Sequence, residues 1–106
     1  MTYIYSIIRK DIPLADQIVQ TAHSAYHAGS RFGLDPRIIN NIPNMVLLEV
    51  KDREELIDLA EKLYAKKIRH YSFFEPDDDL GLTSITTDPL DGEERKVFSN
   101  MRLWRA

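Results

Sequence analysis

The sequence predicts an α/β domain with helices on both faces of a mixed four-stranded sheet, a three-layer α/β/α arrangement in the order β-α-β-α-β-β-α. Two observations carry that expectation. Short runs rich in aromatic and β-branched residues (3–9, 45–50, 70–74 and 82–87) alternate with stretches of helical periodicity. The 106 residues contain no repeat, low-complexity tract or linker, so residues 1–106 read as one domain.

Each element has its own signal. Tyr3 to Arg9 is apolar throughout, as a strand buried on both faces must be. Pro13, whose missing N–H is unused in a first turn, opens a helix over 14–30 that Gly29 and Gly33 stop. Residues 32–44, with Gly33, Pro36 and Pro43, form a connection holding about one helical turn. The second strand, 45–50, leads to Asp52 and, three residues on, Glu55, a capping-box start for a helix ending near Lys67. A third strand, the tight acidic loop Glu75 to Gly81 and a fourth strand follow. Asp88-Pro89 then reads as a cap for a third helix over 90–100, with 101–104 packing as a tail.

Composition excludes several classes of function. The absence of cysteine removes disulfides, thiolate catalysis and zinc ribbons, and is compatible with a cytoplasmic chain. No apolar run approaches the ~18 residues of a membrane span, and the amino terminus lacks a signal-peptide pattern. The net charge is −3, and the excess of acid lies within residues 51–80, densest at Glu75, Asp77, Asp78 and Asp79. A long nucleic-acid duplex calls for a basic face that this chain lacks, whereas Arg9 with Lys10, and Lys66, Lys67 and Arg69, suffice for local contact with an RNA end. There is no Gly-rich phosphate loop, nucleophile elbow or H-E-x-x-H motif.

The first helix divides into two faces. Leu14, Ala15, Ile18, Val19, Ala22, Ala25 and Tyr26 share one side, which the pattern assigns to the sheet. Asp16, Gln20, His23 and His27 line the other. Such a line reads first as a solvated helix face; a proton-transfer site is the alternative, and two metal ligands at i, i+4 awaiting a third from Asp16 or the acidic loop are a weak signal. The five tyrosines read as core and interface residues.

The stretch Ile7-Ile8-Arg9-Lys10-Asp11-Ile12, followed by Gln17-Ile18-Val19-Gln20-Thr21-Ala22-His23-Ser24-Ala25, resembles the start of the archaeal and eukaryotic type of peptidyl-tRNA hydrolase. The similarity continues through the second strand, 54–63, 70–75, 83–89 and 97–104. It implies cleavage, with no required metal or cofactor, of the ester joining a peptide to the terminal ribose of tRNA, and a tendency to form homodimers. It assigns Gln20 and Thr83 to positioning the ester or water, and Glu75 or His23 to the proton. Arg9, Lys10, Asp16 and His27 fall to substrate contact. Asp16 stands where the family motif has lysine, and the shortened loop Glu75-Pro76-Asp77-Asp78-Asp79-Leu80-Gly81 lacks the family's arginine. A non-catalytic module of the same fold, binding a small molecule, a protein or an RNA end, is the alternative those departures favour.

Overall fold

In the computed structural model, which describes residues 1–106, the elements are β1 (Tyr3–Arg9), α1 (Leu14–Phe32), β2 (Asn44–Val50), α2 (Arg53–Ala65), β3 (His70–Glu75), β4 (Gly81–Thr87) and β5 (Arg102–Leu103), with 3-10 helices at Asp77–Asp79 and Gly92–Phe98. They form one mixed sheet ordered β3-β4-β1-β2-β5, in which β1 and β2 are parallel and every other neighbouring pair is antiparallel. Strands β1, β2 and β3 therefore point the same way. Their last residues, Arg9, Val50 and Glu75, gather at one end of the sheet with Gly81, the first residue of β4. Open α/β sheets place ligands at such an end. No helix is long and apolar enough to cross a membrane.

Two expectations about the elements need correction. The sheet has five strands rather than four, because the tail pairs Leu103 with Leu48 and Arg102 with Glu49. This tail covers what would be the open edge of β2, and two residues are too few to show strand periodicity. The third helix is a 3-10 helix over Gly92–Phe98 instead of an α-helix over 90–100. Leu90 is held in reciprocal backbone hydrogen bonds of 2.8 Å with Tyr3, and Asp88 pairs with Arg31 and Arg69 rather than capping. The second helix starts as expected: Asp52 accepts from the Glu55 N–H at 3.1 Å, while Glu55 accepts from Lys51 N–H at 2.6 Å. It ends at Ala65.

The two sheet faces differ in chemistry. On the α2 face, Tyr5, Ile7, Leu48, Leu82 and Ile85 pack with Leu56, Leu59, Leu63 and Phe98 into the hydrophobic core. The α1 face of β1 and β4 instead mixes Ile4 and Ile8 with Ser6, Ser84 and Thr86, all buried. Thr86 Oγ1 lies 2.7 Å from Ser6 Oγ and 2.8 Å from Ser24 Oγ, and Ser84 Oγ donates to the Gln20 carbonyl at 2.6 Å.

The hydroxyls on this face call for polar groups on the helix above them, because each buried hydroxyl needs a partner. The buried residues of α1 are accordingly Gln17, Gln20, Ser24 and Ala28. The side assigned to the sheet from the sequence turns outward instead, leaving Leu14, Ile18, Val19 and Tyr26 exposed. Satisfaction is complete: no buried side-chain nitrogen or oxygen lacks a hydrogen-bond partner. Thr86→Val keeps the shape but leaves the Ser6 hydroxyl without a partner, while Ser24 keeps its bond to the Thr21 carbonyl. Chemical denaturation is expected to register a loss of about 1–3 kcal/mol.

Candidate functional site

Glu75, Gln20 and Thr83 meet in one chain of hydrogen bonds. Thr83 Oγ1 donates to Gln20 Oε1 at 2.8 Å, and Gln20 Nε2 donates to Glu75 Oε2 at 3.0 Å. A β-bulge creates the contact. The register of β3 and β4 shifts between Phe73 and Phe74, so that Phe73 pairs with Ser84, Phe74 with Leu82, and Thr83 is the extra residue. A bulge turns two successive side chains to one face. Here both Thr83 and Ser84 reach Gln20, while Leu82 returns to the core on the other face.

Glu75 is anchored at both carboxylate oxygens, since Oε1 accepts the Asp77 N–H at 3.1 Å. The hydrogen bond from Gln20 holds its pKa below the usual glutamate value, helped by the Asp77 amide and the His23 ring. A carboxylate with a depressed folded-state pKa stabilises the fold above its ordinary value of 4.5, and that contribution is lost as the pH falls through the lowered one. Carbon-13 NMR titration of Glu75 is expected to give a midpoint below the ordinary glutamate range, rising toward it in Gln20→Ala. An unchanged midpoint in Gln20→Ala would sever the link.

The acidic residues after Glu75 owe their place to backbone geometry. Asp78 and Asp79 have φ of 55° and 54°, and Gly81 has 69°. Aspartate tolerates this left-handed region better than most side chains, and glycine best of all. Arg53 closes the loop from α2, donating to the Asp79 carbonyl at 3.2 Å. Its guanidinium lies 3.5 Å from where a Cβ on Gly81 would stand. Arg53, Glu75, Pro76, Asp79 and Gly81 line an open hollow of about 450 Å³. Arg53 was not among the sequence candidates; its signal was its place just after β2, at the end of the sheet where the strand termini gather.

The two imidazoles lie on the aromatic side chains of the edge strand. The His23 ring stacks on Phe73 with centroids 4.6 Å apart, and His27 on Tyr71 at 5.0 Å. The His23 and His27 centroids are 6.5 Å apart, and no three His, Asp or Glu side chains converge as a metal-binding group would. Asp16, one turn before Gln20, is half-buried and makes no ion pair.

Of the two candidate cations at the end of β1, Arg9 turns inward. It is 5% exposed, and its guanidinium donates to both Asp11 carboxylate oxygens at 2.6 and 2.9 Å and to the Leu80 and Leu82 carbonyls at 2.6 and 3.1 Å. It pins the acidic loop to the end of β1 instead of presenting charge to a ligand. Lys10 reaches the Arg105 carbonyl, Glu49 at 3.9 Å and the face of Trp104, so it clamps the tail. Trp104 in turn donates to Gln17 at 2.8 Å. Away from this end, Arg31, Lys67, Arg69 and His70 share a second open cavity of about 560 Å³ with Tyr64.

Gln20, Glu75, Thr83 and His23 therefore come together, and Arg9 and Lys10 are committed elsewhere. The assembly offers a fixed carboxylate beside an imidazole, with a guanidinium across an open hollow. No family model matches the chain, and no curated protein matches it. The fold is shared with a solved structure from Agrobacterium, that of a protein of unknown function, at a TM-score of 0.73 and 14% identity over 98% of each chain.

Proposed function

We propose that the protein hydrolyses an acyl ester at the end of a tRNA, as peptidyl-tRNA hydrolases do, acting as a single three-layer α/β/α domain in the cytoplasm without a cofactor. The supporting observation is the 3.0 Å contact between Gln20 and Glu75, which joins the helix motif to the carboxylate ending β3. Glu75, its pKa lowered, is a weak base suited to orienting water, and the His23 imidazole supplies a ring nitrogen that can take a proton. Water held by Glu75 attacks the ester carbonyl and passes its proton to His23. The carbonyl–ribose oxygen bond then breaks, and His23 returns the proton to the ribose oxygen. The products are a peptide carboxylate, a free tRNA hydroxyl and one proton released to solvent. Arg53, across the hollow, supplies positive charge toward the oxyanion. Lys67, in the cavity it shares with the Asp88-paired Arg31 and Arg69, is the cation there left to meet a phosphate.

A second reading, a binding module without catalysis, draws on a specific observation. Both polar atoms of the Gln20 amide are spent on Thr83 and Glu75, and Gln20 is 5% exposed, so it has no free group for a substrate. Release of peptide from an N-acyl-aminoacyl-tRNA, followed beside filter binding of the same tRNA, separates the two. Turnover supports the hydrolase. Binding without turnover by folded protein supports the module.

A further inference from the structure

The fold covers one edge of its sheet and leaves the other open. The tail strand β5 lies along β2, whereas no strand lies beyond β3. The Asp88 N–H donates to the Arg69 carbonyl at 3.0 Å, and this bond sets the alternation of the ladder between β3 and β4. Tyr71 and Phe73 therefore turn their backbone groups toward β4, and His70, Ser72 and Phe74 turn theirs outward. No loop or tail bonds those outward groups. Proteins blunt a free edge with lysine, proline or a bulge. β3 contains neither lysine nor proline, and the bulge beside it falls on β4, so its own outer backbone stays regular. Phe74, on this edge, is 65% exposed. An edge of this kind is a template on which an extended peptide adds as a further strand.

We propose that the outer edge of β3 binds the peptide part of the ester substrate as an added parallel strand, an inference that rests on the hydrolytic reading above. The edge leads directly into the site, because β3 ends at Glu75, the carboxylate that holds the attacking water. A peptide with its ester carbonyl at Glu75 and its chain running back toward His70 points the same way as β3. The bonds go to backbone groups, so they hold any sequence. Alternate side chains of the peptide fall beside Tyr71 and Phe73 on one face of the sheet and beside Phe74 on the other. Charge decides which chain end fits. Glu75, Asp77, Asp78 and Asp79 outnumber the Arg53 guanidinium where the peptide ends, and they repel a free carboxylate. An ester there is uncharged. The acidic loop thereby admits the ester and pushes off the carboxylate it becomes. β3 has six residues and begins at His70, so the ladder takes about five residues of peptide.

The test is cleavage of tRNA esters of acetylated alanine peptides of increasing length. The value of kcat/KM is expected to rise roughly tenfold up to about five residues and then level off, since each backbone hydrogen bond is worth about fivefold. N-methylating every second peptide nitrogen in one phase should remove that gain, and in the other phase leave it. Cleavage at one rate for all lengths overturns the proposal and leaves the hydrolase standing. No cleavage at any length removes both. Amide NMR reads the edge directly: acetylated pentaalanine amide is expected to shift the Ser72 and Phe74 amides and slow their exchange. The same peptide with a free carboxylate should bind roughly tenfold more weakly, by the repulsion of the acidic loop. Equal binding of the two peptides, or amides that do not respond, overturns the proposal. So does protection of Ser72 and Phe74 in the protein alone that grows with concentration, which would give the edge to a second copy.

Discussion

Glu75→Ala and Gln20→Ala are each expected to lower peptidyl-tRNA cleavage by ~10²–10³-fold, the usual cost of removing one preorganised polar group from an ester-cleaving site. The two losses should not multiply, because the residues form one unit: Gln20 fixes the orientation of Glu75 at 3.0 Å and is itself fixed by Thr83 at 2.8 Å. Glu75→Gln separates charge from shape, since it retains a hydrogen-bonding group but no negative charge to orient water. Activity as low as in Glu75→Ala would make charge the requirement. Steady-state cleavage, read beside circular dichroism to confirm folding, is the measurement. Turnover unaffected in both alanine variants would remove Glu75 and Gln20 from the reaction.

Arg9→Ala is expected to destabilise the fold by about 3 kcal/mol in chemical denaturation, the largest effect foreseen for any single charged residue. Arg9 is buried and donates to Asp11 and to two carbonyls of the segment leading into β4. Removing it leaves those acceptors short of donors, at roughly 1.5–3 kcal/mol for hydrogen bonds to a charged group and more where a buried ion pair is broken. The depressed pKa of Asp11, caused first by its hydrogen bond from Arg9, should return toward its ordinary value in the variant. A variant as stable as the parent would show that the loop does not depend on this residue.

Strands β1 to β4, their alternation with α1 and α2 and the Asp52 cap were legible because each depends on short-range pattern: period, β-branching and the spacing of a capping pair. The joining of Gln20 to Glu75, which lie 55 residues apart, was foreseen only through the motif on α1. Nothing in the local sequence around Thr83 announces a bulge, yet the bulge is what turns Thr83 and Ser84 together toward α1. Arg9 looked like a free cation at a strand end until the chain returned at Leu80 and Leu82 to claim it.

The sequence by itself determined the order of the elements from β1 to β4 and the residues able to do proton chemistry, because those follow from local propensity and side-chain type. Tertiary structure alone decided which face of α1 is inside. A hydrophobic stripe marks the buried side of a helix only when the surface beneath it is apolar. Here that surface mixes Ile4 and Ile8 with Ser6, Ser84 and Thr86, and Thr86 and Ser84 find partners above them in Ser24 and the Gln20 carbonyl. The demand of buried polar groups for partners thus outweighed the pattern of the helix, and left its apolar side to meet something else.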